Sequence, residues 1–571
     1  MENNFKVDPN MRKYNYMLEN NKDYMNYTAL TFGDRKISYE ELHDSIDKYA
    51  KMLYNKGIRQ GDIIGVCALN TPESVYLLYA LDKIGAIVVG FSPFDNKEKV
   101  KKDIEITKPK MIITVDYSYS YFKDFEKALN FSTILYSPLE SLNDRKLKFG
   151  YKLMQIKNGN FKLSKNDYLK TLLTKTPESL TYEEAKFIEN ELTDIMFTGG
   201  STGVHKGVDL SGAGLNHVIE GMRYIYNPDF FTGKTYLGNV PFGHMVYGRS
   251  ILHIALTNNM TYALTLKAMP EDFYEELVRT QAHCAVGGPP HWGNLVEVKD
   301  GQYSIRSDLK PGSLTNLQLA TSGGEAKKKQ LDVAVNKALK YCGSETKLGD
   351  GLGATECWSV LTLNSGNYYV EDTIGAPIST LDFKLVDEFT GKEVEMGQRG
   401  LLNVSGPSVM LGYHNNEEET NKVITYDENG KKWCNLGDFL VKNDEHNYSY
   451  VGRQKRIFVC DCDNIYPEQL ENKLSALPEI QEIIVTSIPD DVRQNVPIYH
   501  VVLSDENINI KNLESKINKI VKNELGEAWL PYEIVYYDEP FIRMNNSKID
   551  IMHYDKEYKE RAKNKEMILK K

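Results

Sequence analysis

A glycine-rich loop at residues 198–207 is the part of the sequence best suited to chemistry. It follows the apolar run Ile195-Met196-Phe197 and contains four glycines, three hydroxyl side chains and one lysine. Glycines let backbone N–H groups converge on an anion, hydroxyls add hydrogen-bond donors, and the lysine adds positive charge. The loop is not a Walker A motif, because Lys206 lies between His205 and Gly207, and its glycines do not fit the Rossmann spacing G-x-G-x-x-G. We predict a phosphate-binding loop of another class; the alternative is a flexible surface turn.

This loop resembles the signature Thr-Ser-Gly-Thr-Thr-Gly-x-Pro-Lys-Gly of the adenylate-forming (AMP-binding) superfamily, with Gly199 in place of serine and His205 in place of proline. The superfamily comprises acyl-CoA synthetases, the adenylation domains of nonribosomal peptide synthetases and luciferases. Further segments resemble its motifs in the same order: Ser322-Gly323-Gly324-Glu325, Gly351-Leu352-Gly353-Ala354-Thr355-Glu356, Gly437-Asp438, Gly452 to Arg456, Asn464 to Glu471, and Arg543 to Asp550. The resemblance covers residues 28–550. The sequence is identified as a member of this superfamily, closest to the acyl- and aryl-CoA ligases.

The resemblance implies a set of ATP-binding residues. They are the loop residues Thr198, Gly199, Gly200, Ser201 and Thr202 around the β- and γ-phosphates, with Lys206 adding charge, then Gly324, Glu325, Asp350, Gly351 and Leu352 along the adenine, and Asp438 with Arg453 at the ribose hydroxyls. Leu352 stands where the superfamily usually has tyrosine, so it packs on the base without aromatic stacking. Taken alone, Lys206 would be interpreted as a solvated loop lysine and Asp438 as a turn residue.

The resemblance also implies catalytic residues, a metal ligand and a hinge. Thr355 would contact the α-phosphate, and Lys548 would bridge the attacking carboxylate and the α-phosphate, where charge builds up in the transition state. His244 stands where acyl-CoA synthetases carry an aromatic or histidine gate near the substrate carboxylate. Glu356 would ligate Mg²⁺, a hard cation that prefers carboxylate oxygen. Lys455 would be the hinge about which the C-terminal domain rotates.

The pocket for the acid is predicted from positions around His244 and the later motifs. Met245 stands where amino-acid-activating domains place an aspartate for the substrate ammonium, and an apolar side chain cannot pair that charge. A non-amino-acid carboxylic acid is therefore expected, and several glycines predict room for a bulky or elongated apolar one. The candidate pocket residues are Met245, Val246, Tyr247, Gly248, Gly288, Ser322, Gly323 and Gly349.

The acceptor of the activated acid is left open by residues 460–463. CoA synthetases commonly have a glycine-rich loop after the hinge, where pantetheine threads, whereas this chain has Cys460-Asp461-Cys462-Asp463. Two aspartates there would oppose a polyanionic cofactor. The two cysteines have no second pair at zinc spacing, so we interpret them as structural or incidental.

The predicted function is ATP-dependent formation of an acyl-adenylate followed by transfer to a thiol, with CoA as the leading acceptor. The alternatives are loading of a carrier-protein phosphopantetheine and, from a different class, a non-catalytic ligand-binding relative. The last is disfavoured because the chain keeps the whole set Lys206, Thr355, Glu356, Asp438, Arg453 and Lys548. ATP, Mg²⁺ and CoA are the expected cofactors.

The elements that must position these residues alternate between strands and helices. Thr28 to Phe32 is predicted to be a strand, and Ser38-Tyr39-Glu40-Glu41 has the form of a capping box that opens a helix. A strand from Asp62, a helix that starts at Pro72 and a strand near Ala86 form a βαβ unit, and Met111 to Val115 repeats the strand pattern. This order predicts a largely parallel sheet.

The remaining segments suggest two domains. Residues 137–190 are polar and irregular and are interpreted as an insertion or connecting segment. From about Arg456 the pattern is that of a small α+β domain. We predict an α/β fold with a large N-terminal domain of mixed, largely parallel sheets at residues 1–453, a hinge at 454–455 and a small mobile C-terminal domain at 456–571.

Composition limits the classes of protein that the chain could be. The 571 residues carry 69 Lys and Arg against 79 Asp and Glu, a net charge of −10, which argues against a general nucleic-acid binder. Seven cysteines, odd in number and mostly isolated, favour reduced thiols. The N-terminus lacks the apolar segment of a signal peptide, and there is no apolar run of 18 residues. A soluble cytoplasmic enzyme without a membrane span is expected.

Overall fold

A computed structural model gives the structure of residues 7–142, 145–158, 168–198, 206–223, 225–299, 302–325, 327, 329–461, 463–490, 492–505, 507–544 and 548–569. In this part of the chain the helices are α1 (Lys13–Asn21), α2 (Tyr39–Asn55), α3 (Pro72–Lys83), α4 (Lys97–Thr107), α5 (Tyr119–Phe122), α6 (Arg145–Lys157), α7 (Leu169–Lys175), α8 (Gly212–Met222), α9 (Pro228–Phe231), α10 (Val246–Thr257), α11 (Phe273–Thr280), α12 (Pro289–Gly293), α13 (Lys329–Tyr341), α14 (Glu417–Val423), α15 (Pro467–Leu474), α16 (Ile510–Glu524) and α17 (Ile551–Leu569).

The strands of the first two-thirds of the chain are β1 (Thr28–Phe32), β2 (Arg35–Ser38), β3 (Ile63–Cys67), β4 (Ile87–Phe91), β5 (Met111–Val115), β6 (Ser132–Tyr136), β7 (Leu192–Phe197), β8 (Gly207–Ser211), β9 (Thr235–Gly238), β10 (Thr261–Leu264), β11 (Cys284–Gly287), β12 (Val296–Lys299), β13 (Gln302–Ile305), β14 (Leu319–Gly323), β15 (Leu348–Gly351), β16 (Thr362–Leu363) and β17 (Ala376–Pro377). Those of the last third are β18 (Asp382–Val386), β19 (Arg399–Ser405), β20 (Gly412–Tyr413), β21 (Ile424–Tyr426), β22 (Lys432–Lys442), β23 (Tyr448–Arg453), β24 (Phe458–Cys460), β25 (Asp463–Ile465), β26 (Ile480–Asp490), β27 (Gln494–Leu503) and β28 (Glu533–Tyr537).

Two seven-stranded sheets form most of the N-terminal part. Sheet A has the order β15-β14-β11-β9-β10-β1-β2 and is parallel except for the edge strand β2. Sheet B has the order β20-β8-β7-β4-β3-β5-β6. The strands from β7 to β6 are parallel to one another, and β8 pairs antiparallel with both of its neighbours, β7 and β20. The predicted largely parallel sheets are thus confirmed.

The hydrophobic core of the N-terminal part lies between the two sheets and the helices that pack on both faces of each sheet. Helices α1, α2, α3, α8 and α10 share one hydrophobic cluster with residues of both sheets, so they lie between them. Because side chains alternate along a strand, Ile64 and Val66 of β3 face this cluster, while Cys67 belongs to the cluster on the other face of sheet B. On the outer face of sheet A, Ala285 and Ala320 pack with helices α11 to α13. The result is a layered α/β arrangement.

A third, antiparallel sheet was not predicted. Sheet C joins β18, β19, β22 and β21, with β23 also paired to β22. The pairing of β22 with β19 shifts register near Gly437, which has φ of +73°. Glycine adopts this left-handed conformation without strain. The irregularity places Asp438 directly opposite Arg453 on β23.

The C-terminal part forms a separate, smaller α+β unit. Sheet D joins β25, β24, β27 and β26, with β28 parallel to β27. Helices α15 and α16 pack on one face through Leu470, Ile517 and Val521, and α17 packs on the other through Tyr554 and Tyr558. The predicted fold class, a large α/β domain followed by a small α+β domain, is confirmed. None of the described helices has both the length and the apolar character needed to cross a bilayer.

The chain passes from sheet C to sheet D through a single turn of 3₁₀ helix at Gln454–Arg456. Lys455 is exposed on this turn, whereas Arg456 forms ion pairs with Glu468 and Glu471 of α15. A boundary at 453–456 and a hinge at Lys455 stay predictions, and the change of sheet at this turn is the feature that supports them.

The local signals predicted several element ends correctly. The Ser38 hydroxyl accepts from the backbone N–H of Glu41 at the start of α2, and the Thr71 hydroxyl accepts from that of Ser74 at the start of α3. The segment at 137–190 is more regular than we expected, because it contains α6 and α7. The six cysteines among the described residues are free and buried, as expected for reduced thiols; Cys462 lies outside the described residues.

A buried ionic network ties the N-terminal helix to the strand that enters the glycine-rich loop. The Asp194 carboxylate on β7 forms ion pairs with Lys13 of α1 and with Arg249 of α10, the latter at 2.5 Å. All three side chains are almost fully buried. Burial by itself raises the pKa of Asp194, but the two cations outweigh it and leave the pKa below its ordinary value. A second buried carboxylate, Asp82, lies 3.8 Å from Lys13, so Asp194 is the only ion-pair partner of Arg249 and shares Lys13 with Asp82 in the described structure.

Replacement of Asp194 by asparagine should strongly destabilise the N-terminal domain. The amide leaves Arg249 buried without a counter-charge and leaves Lys13 only the 3.8 Å pair with Asp82, and such a loss typically lowers the free energy of unfolding by about 3–5 kcal/mol. Urea unfolding of Asp194→Asn against wild type measures this effect. The matched control is Asp382→Asn, whose exposed pair with Lys431 should contribute less than about 1 kcal/mol.

The loss of stability in Asp194→Asn should also depend on pH and should become smaller in acid. Because the folded-state pKa of Asp194 is depressed, its contribution is present above the unfolded-state value of about 4 and is lost as the pH falls through the folded-state value. The difference between wild type and Asp194→Asn should therefore shrink only below about pH 4. Equal stability of the two proteins at neutral pH would contradict the assignment.

Candidate active site

Several of the predicted adenine and acid-pocket residues lie at one edge of sheet A. Strands β11, β14 and β15 are adjacent and parallel, and they end at Gly287, Gly323 and Gly351. The register pairs Gly287 with Ser322 and Gly323 with Gly351. Ligands of open α/β sheets bind outside the carboxyl ends of the strands. The motifs at 322–325 and 350–352, which are 25 residues apart in sequence, are therefore neighbours at a suitable edge.

The glycines at this edge differ in the space beside them. A Cβ placed on Gly288 or Gly323 would have no atom closer than 3.6 Å. A Cβ on Gly349 would lie 1.6 Å from the carbonyl oxygen of Asn364, and one on Gly248 would lie 2.5 Å from that of Pro241. A Cβ at Gly288 or Gly323 would thus make only ordinary van der Waals contacts, whereas Gly248 and Gly349 allow backbone segments to pack closely.

The two ends of the glycine-rich loop are held together by strands β7 and β8. Phe197 pairs with Gly207, and the backbone N–H of Thr198 donates to the carbonyl oxygen of Lys206 at 3.0 Å. Gly199, Gly200, Ser201 and Thr202 lie outside the described residues. The pairing closes the loop at its base, as a phosphate-binding loop between two strands requires.

The ammonium of Lys206 is already engaged. It forms an ion pair with Glu419 of α14 and lies 4.5 Å from the centre of the Tyr413 ring. The hydrogen bond from Lys206 holds the pKa of Glu419 down to about 2. A phosphate that used Lys206 would have to replace this carboxylate as its partner.

Thr355 and Glu356 are presented on a tight turn. They begin a 3₁₀ helix, Thr355–Cys357, after which Trp358 and Ser359 adopt φ values of +54° and +78°. The Trp358 indole donates to the carbonyl oxygen of Ser211 at 2.8 Å and so anchors the turn to the start of α8. The Tyr413 hydroxyl donates to Glu356 Oε1 at 2.9 Å, which orients the carboxylate.

Asp438 is a fully buried carboxylate with one oxygen in use. Its Oδ1 accepts from Arg453 Nε at 2.9 Å and, more weakly, from the Tyr450 hydroxyl at 3.4 Å. Its Oδ2 is buried and has no hydrogen-bond partner among the described residues. Burial raises the pKa of Asp438. An unpaired buried acceptor of this kind fits a ligand that donates, such as a ribose hydroxyl.

The C-terminal domain brings Lys548 to the same edge of sheet A. The Lys548 Cε lies 4.0 Å from the position that a Cβ on Gly324 would occupy. Nearby, Arg543 Nη1 lies 3.7 Å from Glu325 Oε2. Burial and the charge of Arg453 lower the pKa of Lys548, although Glu325 and Asp438 act in the opposite sense. Lys548, Glu325, Asp438 and Arg453 are therefore close enough to interact electrostatically.

The other residues assigned to the adenine are in part committed to protein contacts. Asp350 Oδ2 lies 3.2 Å from Lys327 Nζ, and burial raises the pKa of Asp350 to about 6. The backbone N–H of Leu352 donates to the Thr362 hydroxyl at 3.1 Å, and its half-buried side chain packs against the core. Leu352 can offer an apolar surface to a base.

His244 is held between the two large sheets. A Cβ on Gly90 of β4 would lie 3.0 Å from His244 Cα, so the segment runs against sheet B. Arg249 donates to the carbonyl oxygens of the two preceding residues, Phe242 and Gly243, at 2.9 and 3.0 Å. Burial lowers the pKa of His244 to about 4, and its Nδ1 has no partner in the described structure. At neutral pH His244 is thus an uncharged imidazole.

The first turn of α10 supplies further predicted pocket residues. Met245 caps this helix, and Val246 and Tyr247 are its first two residues. The Tyr247 ring and hydroxyl lie 3.9 Å from the position of a Cβ on Gly323. Met245, Val246 and Tyr247 are half-buried, so the helix start faces the open end of β14.

Three buried polar atoms at this end of sheet A have no partner within the described part of the chain. They are Ser322 Oγ, His291 Nδ1 and Asn239 Oδ1. Asn239 follows β9, Ser322 is on β14, and His291 is on α12, against Gly287 of β11. A ligand group that forms hydrogen bonds would satisfy them. The lining of the predicted acid pocket is therefore more polar than the sequence analysis indicated.

Several contributing residues could not be assigned from the sequence. Tyr413, Glu419 and Arg249 act through partners at least 55 residues away, and no local pattern marks them. Asn239 had a usable signal, because a polar residue directly after a parallel strand lies at the ligand-binding edge.

The described residues contain no cluster of three or more His, Cys, Asp or Glu side chains placed to hold a metal ion. Glu356 is a single oriented carboxylate. Mg²⁺ typically binds through one or two carboxylates together with substrate phosphates and water, so Glu356 fits Mg²⁺ that arrives with a nucleotide.

Comparison with known proteins finds similarity along most of the chain. The sequence profile of the AMP-binding enzyme family matches residues 18–414, and that of the AMP-binding enzyme C-terminal domain matches residues 469–546. The 4-coumarate–CoA ligase CCL1 of Humulus lupulus is 26% identical over 522 residues, covering 89% of this chain and 88% of its own. A long-chain-fatty-acid–CoA ligase of Bacillus subtilis is 26% identical over 509 residues, covering 87% and 86%.

Solved structures share the fold across both domains. ATP-bound MatB from Rhodopseudomonas palustris has a TM-score of 0.80 at 18% identity and covers 96% of this chain and 99% of its own. The anthranilate CoA ligase AuaEII in complex with anthranoyl-AMP has a TM-score of 0.76 at 19% identity, covering 95% and 96%.

Asp438→Asn should weaken nucleotide binding by about tenfold. The change puts an NH₂ donor where the unpaired oxygen now lies, and a hydrogen bond to a charged group contributes about 1.5–3 kcal/mol. Isothermal titration with ATP measures the affinity, and Tyr450→Phe, which removes only the 3.4 Å contact, is the control. Since burial raises the pKa of Asp438, wild-type affinity should also decline on acidification at a pH above the ordinary carboxyl range. Unchanged affinity in Asp438→Asn would exclude Asp438 from the ribose site.

Proposed function

The chain belongs to the AMP-binding enzyme family, and we propose that it activates a non-amino-acid carboxylic acid with ATP and transfers the acyl group to the thiol of CoA. The observation that best supports this is the approach of Gly324, Asp438, Arg453 and Lys548 to one sheet edge from distant parts of the chain. Ligases that form AMP need such a site, in which cations face the α-phosphate while the ribose is held.

In the proposed first step a carboxylate oxygen of the acid attacks the α-phosphorus of ATP. A new P–O bond forms, the bond to the bridging oxygen of the β-phosphate breaks, and pyrophosphate leaves. Lys548 supplies positive charge where the attacking oxygen and the phosphate oxygens meet, and Thr355 supplies a hydroxyl. Oriented donors of this kind typically contribute about 10²–10³ in rate. Glu356 would hold Mg²⁺, which neutralises phosphate charge when bound.

In the proposed complex Asp438 holds the ribose, and the β7–β8 hairpin holds the two ends of the glycine-rich loop. Asp438 Oδ2 would accept from a ribose hydroxyl while Arg453 fixes Oδ1. Gly324, Glu325, Asp350, Gly351 and Leu352 would line the adenine, and Thr198 to Thr202 would surround the outer phosphates. Lys206 would join them by exchanging Glu419 for phosphate.

The acid would enter beside His244 and the first turn of α10. Because His244 is uncharged at neutral pH, it would orient the carboxylate by hydrogen bonding rather than by ion pairing. Met245 offers no charge for an amino group. Gly288 and Gly323 add no side chain that would obstruct an acyl group, and the unpaired Ser322, His291 and Asn239 atoms favour an acyl group that carries a hydrogen-bonding substituent.

In the proposed second step the thiol sulfur attacks the acyl carbon. The C–S bond forms, the bond to the AMP oxygen breaks, and the thiol proton goes to solvent or a base. CoA is the proposed acceptor because the similar curated proteins named above are CoA ligases. Asp461, on the turn between β24 and β25, is paired with Arg493 at 2.8 Å, so part of the negative charge there is compensated. A carrier-protein phosphopantetheine is the second candidate.

ATP–pyrophosphate exchange with a panel of acids is the direct test. We expect exchange with bulky aromatic or elongated acids and none with α-amino acids. Within matched acid pairs, the hydroxylated member should be preferred, and Ser322→Ala should reduce that preference. Positive acids are then offered CoA or a holo carrier protein in separate reactions, and the thioester is measured. Failure to exchange with any acid would reject the enzyme proposal, and thioester on the carrier alone would select the second candidate.

The two C-terminal lysines should have separable effects. Lys548→Ala should reduce adenylate formation by at least about 10², yet still convert a supplied acyl-adenylate and thiol to thioester. Lys455→Pro fixes φ at the turn between sheets C and D and should impair the thioester step while adenylation stays largely intact, because hinges of this kind gate turnover without touching the chemistry. Pyrophosphate release measures the first step, and thioester yield from synthetic adenylate measures the second.

The exposed Lys556→Ala on α17 is the matched control for both lysine variants, since its 79% exposed side chain contacts no site residue named above. Equal loss of both activities in Lys548→Ala and Lys455→Pro would contradict alternation of the C-terminal domain about Lys455.

A further inference from the structure

Helix α6 is an unusually basic segment of an acidic chain. Its 13 residues, Arg145–Lys157, include five lysines and arginines and no aspartate or glutamate. The whole chain has a net charge of −10. A basic amphipathic helix is typical of segments that bind anionic surfaces.

The same helix exposes large apolar side chains. Phe149 is 65% exposed, Leu153 is 52% exposed and Ile156 is 49% exposed. Their spacing of four and three residues places them on one face of the helix. Contiguous exposed apolar surface on one element marks a binding surface more often than scattered single residues do.

The basic residues border this apolar strip on both sides. At about 100° per residue, Arg145 and Lys152 lie along one edge of the strip and Lys146 and Lys157 along the other. Lysine and arginine side chains can extend from such edges toward anionic groups while the strip is buried.

One side of α6, which carries Lys148, Tyr151 and Gln155, is attached to the protein. Tyr151 donates to Asp116, at the end of β5, and Lys148 donates to the carbonyl oxygen of Glu140 at 2.7 Å. Gln155 is buried on this side. Leu147 and Met154, on a further side of the helix, are also about half exposed, so the protein covers one side of α6 only. The basic side chains on both edges of the Phe149 strip complement an anionic lipid surface.

We propose that α6 docks the enzyme on an anionic lipid surface. The helix would lie in the plane of the membrane with Phe149, Leu153 and Ile156 inserted at the headgroup–acyl boundary and Arg145, Lys146, Lys152 and Lys157 against anionic headgroups. Its length of about 20 Å is suited to lying on a bilayer. This association would place the enzyme beside a source of lipophilic acids, but it does not depend on the function proposed above.

Co-sedimentation of the full-length protein with vesicles tests the proposal. One set of vesicles is phosphatidylcholine alone, and the other contains about one-third phosphatidylserine. We expect binding to the anionic vesicles only, with release as the salt concentration rises. Lys146→Gln/Lys152→Gln should weaken binding by about tenfold or more, since each basic residue near the surface contributes about fivefold. Phe149→Ser/Leu153→Ser should weaken it by a similar factor.

Matched controls carry the same changes elsewhere. Phe389→Ser removes an aromatic side chain that is 81% exposed, and Lys337→Gln/Lys340→Gln removes two exposed lysines of α13; both should bind vesicles as wild type does. Urea unfolding midpoints of all variants should match wild type, which separates loss of docking from loss of folding. Wild-type protein that stays in the supernatant with both vesicle types, or helix variants that bind as wild type does, would overturn the proposal and favour an acidic protein as the occupant of α6.

Discussion

The buried Asp194 carboxylate is the interaction on which the geometry of the site depends. It neutralises Lys13 and Arg249 in a region where uncompensated charge is strongly unfavourable. Arg249 in turn holds the carbonyl groups that precede His244, and Asp194 itself lies on the strand that enters the glycine-rich loop. The segment before His244 and the strand that enters the glycine-rich loop are thus fixed relative to each other by one buried ionic network. Through the pair between Lys13 and Asp194, the N-terminal helix α1 is linked to the strand that enters the glycine-rich loop.

The parts of this arrangement that the sequence predicts are the local ones. The caps at Ser38 and Thr71 depend on residues three positions apart, and the loop at 198–207 carries its chemistry within ten residues. The contacts of Glu356 with Tyr413 and of Lys206 with Glu419 join segments separated by 57 and 213 residues, and only the folded chain brings them together. The glycines show the same limit, because Gly349 and Gly323 look alike in the sequence, yet a Cβ on Gly349 would clash with the backbone of Asn364 whereas one on Gly323 would make ordinary contacts with Gly351 and Tyr247.

The site also contains polar atoms that the protein leaves unpaired. Asp438 Oδ2, Ser322 Oγ and His244 Nδ1 are buried and lack partners within the described structure. Burying such atoms is unfavourable for folding, and proteins tolerate it mainly where a ligand completes the bonding. Unpaired buried atoms also occur away from the site, for example Glu73 Oε2 and Asp103 Oδ1, so these three atoms support a ligand site only together with the geometry around them.

Glu419 forms an ion pair with Lys206, so it would compete for Lys206 with any phosphate that the glycine-rich loop binds. In the proposed reaction an incoming triphosphate must displace a carboxylate that is tethered nearby and therefore present at high effective concentration. A ligand with a single phosphate would compete poorly, so the exchange favours densely charged nucleotides. After pyrophosphate forms, Glu419 would pair with Lys206 again, so pyrophosphate would leave without exposing an unpaired cation. The same contact that weakens ATP binding would thus shorten the lifetime of bound pyrophosphate.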